Sequence, residues 1–88
     1  MEGFVYILQS EKNGSYYVGS TINLEKRIFE HNTGQTKSLK YLLPLKLVFF
    51  QKFGDIGLAR ALEYKIKNFK SRKIIEQIIV DQKIKMGR

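Results

Sequence analysis

Apolar residues in this chain fall into three short runs and three helical stripes. Phe4 to Leu8 is apolar on both alternating faces, the pattern of a central strand covered on both sides. Tyr16 to Gly19 reads as its hairpin partner, because the intervening Gln9 to Ser15 contains Asn13-Gly14, a strong signal for a tight turn. The hairpin makes Tyr6 and Tyr17 neighbours on adjacent antiparallel strands. Residues 45–51, Leu-Lys-Leu-Val-Phe-Phe-Gln, form a third strand. Between the second and third strands, Asn23 can cap a helix from Leu24 to about Asn32, which Thr33-Gly34 stops. Asp55 can cap a second helix, Ile56 to about Phe69, with Leu58, Leu62, Ile66 and Phe69 as its apolar face. Ser71 can cap a third, from near Arg72 past Ile79. Gly34 to Pro44 is expected to be the longest loop, and residues 82–88 a frayed basic tail. The order β-β-α-β-α-α predicts an α/β (α+β) fold, a small three-stranded antiparallel sheet flanked by helices, as a single domain over residues 1–81.

Size and composition narrow the chemistry. At 88 residues the chain holds one modest core, with no room for a separate targeting domain. Cysteine is absent, which removes thiol nucleophiles, disulfides and thiolate zinc sites together and suits a reducing compartment. No apolar stretch approaches the ~20 residues of a membrane span, and the amino terminus lacks a signal-like segment, so a cytoplasmic location without membrane contact is expected. The net charge is +8, and residues 45–88 carry 11 basic and 4 acidic side chains against 5 and 4 in residues 1–44. That asymmetry favours a polyanionic partner, nucleic acid before membrane, although small domains are also basic simply for solubility.

The first predicted helix carries an unusual pairing. At ~100° per residue, Arg27 and His31 fall on the same arc as Leu24 and Ile28, which directs a cationic pair at the sheet rim where the tyrosines sit. Taken singly, each candidate has a structural explanation. Arg27 can snorkel along apolar surface and His31 can complement the helix dipole. Tyr6 and Tyr17 can be ordinary strand aromatics, and Glu63 can form a surface pair with Lys67, worth ~0.2 to 0.5 kcal/mol.

Taken together, the chain resembles the GIY-YIG nuclease superfamily. Phe4-Val5-Tyr6 is similar to its first tripeptide and Tyr17-Val18-Gly19 to its second. Arg27 follows ten positions after Tyr17, His31 four further on, and Glu63 sits on the next helix. The likeness is greatest to its small single-domain members, the UPF0213 or URI-domain group, through Tyr-Ile-Leu-x-Ser, Gly-Ser-Thr-x-x-Leu-Glu-Lys-Arg, Glu-His-Asn-x-Gly and the run from Pro44 to Phe50.

The resemblance implies a metal-dependent endonuclease with Tyr6, Tyr17, Arg27, His31 and Glu63 as its catalytic set. Glu63 would be the one protein ligand of Mg²⁺ or Mn²⁺, an ion that keeps much of its own water. Tyr17 would take or relay a proton from the attacking water. A phenol of ordinary pKa ~10 needs nearby positive charge for that, which Arg27 could supply while binding phosphate. Tyr6 and His31 would orient water or phosphate.

Backbone contacts would come from Lys37, Lys40, Lys65, Lys67, Lys70, Arg72 and Lys73, with DNA preferred over RNA. No sequence-reading appendage is evident, so structure-directed or weakly selective binding is expected. Two departures favour a second possibility, an inactive or weak nucleic-acid-binding module working with a partner. Ser20 stands where several superfamily nucleases carry lysine, a contact that Lys65 or Lys67 could supply, and the late asparagine has no counterpart. Leu42-Leu43, replacing an often basic pair, could mark a protein-binding edge.

Overall fold

The computed structural model describes residues 1–85 of the chain. Its elements are β1 (Gly3–Ser10), β2 (Tyr16–Thr21), α1 (Leu24–Asn32), β3 (Leu45–Phe53), α2 (Ile56–Phe69) and α3 (Arg72–Asp81). The three strands form one antiparallel sheet in the order β2-β1-β3, so β1 is central, as its two-sided apolar pattern requires. At the hairpin turn Gly14 takes a positive φ of 78° and its N–H bonds to the Ser10 carbonyl. β3 carries a bulge, since Ile7 faces Phe49 while Leu8 faces Leu47.

Each face of the sheet has its own core. Val5, Ile7, Val18 and Phe49 meet Ala59, Leu62 and Ile66 of α2 and Ile78 of α3 on one side. Tyr6, Leu8 and Leu45 meet Leu39, with Leu24 and Ile28 of α1 packed alongside, on the other. Sequence polarity sets these helices in place. The side chains of Asn23, Asp55 and Ser71 accept from the N–H groups of Lys26, Leu58 and Ile74, capping α1, α2 and α3 in turn. Among the described residues no helix is long and apolar enough to cross a membrane.

Four expectations need correction. The stretch from Gly34 to Pro44 is not a plain loop, because Lys37–Leu42 winds into a 3-10 helix that buries Leu39. Leu42 and Leu43 pack against that second core rather than forming an exposed protein-binding edge. On α2, Leu58 and Phe69 are about half exposed, and the buried stripe is Ala59, Leu62 and Ile66. Residues 82–85 do not fray. Ile84 is 6% exposed within the helix-side core, and its N–H donates to Gln51 Oε1 at 2.9 Å. The remainder of the expected tail, residues 86–88, lies outside the described residues.

Candidate active site at the β2 edge

The hairpin register puts Tyr6 opposite Gly19 and Tyr17 opposite Leu8, so the two tyrosines sit diagonally on one sheet face with ring centroids 6.4 Å apart. Gly19 is required there, because a Cβ at this position would run into the Tyr6 phenol. Tyr6 is 2% exposed. Its hydroxyl lies 2.9 Å from His31 Nε2, and His31 Nδ1 lies 2.8 Å from Thr36 Oγ1. The Tyr17 ring stands edge-on to the same imidazole, at 5.3 Å.

Burial decides the protonation of this group. His31, 1% exposed, is held below its ordinary value by burial first and by the charge of Arg27 second, with Glu30 opposing. It is therefore uncharged at neutral pH, which corrects the expected cationic pair and removes the dipole-complementing role. A neutral imidazole carries one N–H, so of its two contacts one is a donation and the other an acceptance. Burial also pushes the Tyr6 phenol well above its usual range, with Tyr17 adding to the rise and Arg27 opposing it. Tyr6 remains a phenol. Arg27 itself is 44% exposed at the side chain and 3.8 Å from Glu30, so it lies at the mouth of the site rather than inside it.

Glu63 arrives from the opposite face. The buried stripe of α2 docks on the sheet, and Glu63, adjoining Leu62, reaches β2, where the Ser20 hydroxyl donates to its Oε1. Lys67 Nζ sits 2.6 Å from its Oε2 and 5.4 Å from the centroid of the Tyr17 ring. The expected Glu63–Lys67 pair is thus real, and it spans the β2 edge to the tyrosine cluster. Ser20, the departure from the lysine-bearing pattern, positions the carboxylate. Lys65 does not come near: two residues after Glu63, it is turned ~200° round the helix and exposed.

Among the described residues no group of three or more His, Cys, Asp or Glu is clustered to hold a metal. Glu63 nonetheless fits a divalent ion of the magnesium type. It is a partly exposed hard-oxygen donor that already attracts a cation, and such ions take one or two carboxylates and keep several waters.

Beside Tyr17 runs a groove of about 410 Å³ between the start of β2 and the α2–α3 corner, lined by Lys67, Lys70 and Arg72 among others. Arg72 is heavily committed: it donates to Glu76 and to the Gly14 carbonyl and lies 4.5 Å over the Tyr16 ring. Lys37, Lys40 and Lys73 are exposed. Thr36, which holds His31 from the far side, lies in a stretch without apolar periodicity, so nothing local in the sequence marks it.

A model of the family described as GIY-YIG catalytic domain matches residues 2–75. Similar proteins include a UPF0213 protein of Staphylococcus saprophyticus, 38% identical over 85% of this chain and 92% of its own length. Another, from Clostridium perfringens, is 41% identical over 93% and 87%. The solution NMR structure of a UPF0213 protein from Bacillus halodurans superposes with a TM-score of 0.58 at 34% identity, covering 91% of this chain and 84% of that one.

Proposed function

Because the chain belongs to the GIY-YIG family, whose catalytic domain is that of a nuclease superfamily, we propose that it is a metal-dependent endonuclease hydrolysing phosphodiester bonds in DNA. It would act on structure more than on sequence, in repair or recombination. The observation that carries this reading is the meeting of Tyr17 and Glu63 around the β2 edge, with Lys67 within reach of both.

Phosphodiester hydrolysis needs a proton removed from water, charge stabilised on the phosphoryl oxygens and help for the leaving alkoxide. Tyr17, only partly buried, releases its own phenolic proton to solvent and takes the water proton in its place, and the Lys67 ammonium over its ring stabilises the negative charge on the phenol oxygen between the two transfers. Arg27, exposed at the mouth, binds the phosphate. Tyr6, locked as a phenol, acts as a hydrogen-bonding group that His31 and Thr36 hold in place. Glu63, steadied by Ser20, would hold Mg²⁺ or Mn²⁺. The ion supplies Lewis-acid stabilisation of the phosphoryl oxygens when bound.

The alternative is a weak or inactive nucleic-acid-binding module acting with a partner. It draws support from the engagement of both Glu63 oxygens, by Ser20 and Lys67. Labelled single-stranded, duplex and branched DNAs and RNAs, incubated with Mg²⁺, Mn²⁺ or EDTA, separate the two. The nuclease yields metal-dependent products from the wild type that drop by at least ~10²-fold in Tyr17→Phe and Glu63→Ala. An absence of products across the panel, with salt-sensitive binding retained, decides for the binding module.

A further inference from the structure

The groove beside Tyr17 shares Tyr17 and Lys67 with the chemistry above, and the rest of its lining takes no part in it. One wall is Ser15 to Val18 at the start of β2, and the other runs from Ile66 and Lys67 through Lys70 to Arg72 and Ile75. Three cationic side chains and no carboxylate line it. Two of the cations have partners outside the lining, Lys67 with Glu63 and Arg72 with Glu76. Lys70 pairs with no carboxylate among the described residues.

Lys70 is also conformationally out of place. It ends α2 in the left-handed region, at φ 49°, where glycine or asparagine is the usual occupant because a Cβ is disfavoured there. Its side chain lines the groove. Of the two aromatics in the wall, Tyr16 packs against the helix-side core and under the Arg72 guanidinium, and Tyr17 packs against His31 with Lys67 over its ring, so neither offers an open ring for a base. Charge without a stacking platform or an exposed hydrogen-bonding amide recognises backbone rather than sequence.

Resting on the nucleic-acid reading above, we infer that this groove is a phosphate-binding subsite holding the strand next to the scissile phosphodiester. Lys70 is its principal cation and Lys67 its junction with Tyr17. The strand therefore leaves the site between the hairpin and the α2–α3 corner.

Binding of a short fluorescein-labelled single-stranded DNA, followed by anisotropy in EDTA over a series of NaCl concentrations, tests the subsite without any cleavage. Lys70→Gly suits the local backbone, so it should unfold no earlier than the wild type while the slope of log affinity against log salt falls by about 0.7, one phosphate contact on a single strand. Lys46→Ala, on β3 at the far edge of the sheet, should leave the slope unchanged. An unchanged slope in Lys70→Gly overturns the subsite, as does an equal loss in Lys46→Ala, which would mark a diffuse field. A wild type that cleaves nothing but shows the Lys70 effect sinks the nuclease reading and leaves the subsite standing. Cleavage by the wild type with no Lys70 effect does the reverse.

Discussion

Buried between the hairpin and α1, Tyr6 and His31 owe their protonation states to the loss of water around them. For His31 the folded-state pKa lies below its unfolded value, so the unfolded chain binds the proton first. The contribution to stability is complete above the ordinary value of about 6.5 and is lost as the pH falls through the depressed folded value. Thermal unfolding from neutral to mildly acidic pH should show a falling midpoint in the wild type and a flatter profile in His31→Gln. Superimposable profiles would remove His31 from the acid response. Gly19→Ala is the steric counterpart: the new methyl meets the Tyr6 phenol, and overpacking of this kind costs ~1 to 3 kcal/mol by urea denaturation, with a loss of cleavage from the displaced ring. Tyr6, Tyr17, Arg27, His31 and Glu63 were drawn together in the sequence by the resemblance to the GIY-YIG superfamily, since each alone has a structural explanation. The neutrality of His31 could not be read there, because it depends first on a burial that no local pattern encodes and then on the charge of Arg27.

At the scale of elements, legibility follows the strength of the local chemistry. The polar caps Asn23, Asp55 and Ser71 marked all three helix starts, since a short side-chain acceptor before an apolar stripe has few other uses. Helical periodicity misassigned the α2 stripe, because Leu58 and Phe69 lie at one edge of the arc that Ala59, Leu62 and Ile66 turn to the sheet and so stay about half exposed. The 3-10 helix was invisible for a different reason: its order comes from outside itself. Ser10 Oγ, at the end of β1, donates to the Leu42 carbonyl at 2.7 Å and accepts from the N–H groups of Lys12 and Asn13. This one buried hydroxyl thus ties the 3-10 helix to the hairpin turn. Ser10→Ala should cost ~1 to 3 kcal/mol through the groups left unpaired, with faster amide exchange at Lys12 and Asn13. Unaltered exchange at both amides would show that the clasp does not hold the turn.

Over the whole molecule, the two cores share one thin sheet, and the smaller parts of the chain matter accordingly. Ile84 lies beyond the last helix yet fills the helix-side core. Ile84→Ala should destabilise the fold by ~2 to 4 kcal/mol in a chemical denaturation curve. A change below ~0.5 kcal/mol, typical of surface positions, would place the segment outside the core. Its docking escaped the sequence because one isoleucine among lysines has no periodicity, and only the position of Gln51 on β3 supplies the bond that anchors it.

The central position of β1 has a bearing on how the molecule is made. The strand that all else leans on precedes both of its partners in the chain, and the hairpin completes only one of its edges. Its other edge, along Val5, Tyr6, Ile7 and Leu8, waits for β3, which begins at Leu45. At ~5 to 20 residues per second the ribosome leaves that apolar ribbon unpaired for on the order of seconds. During that interval the nascent chain presents a sticky strand edge to its neighbours. A nascent chain halted before β3 should therefore engage chaperones or self-associate more than the finished protein.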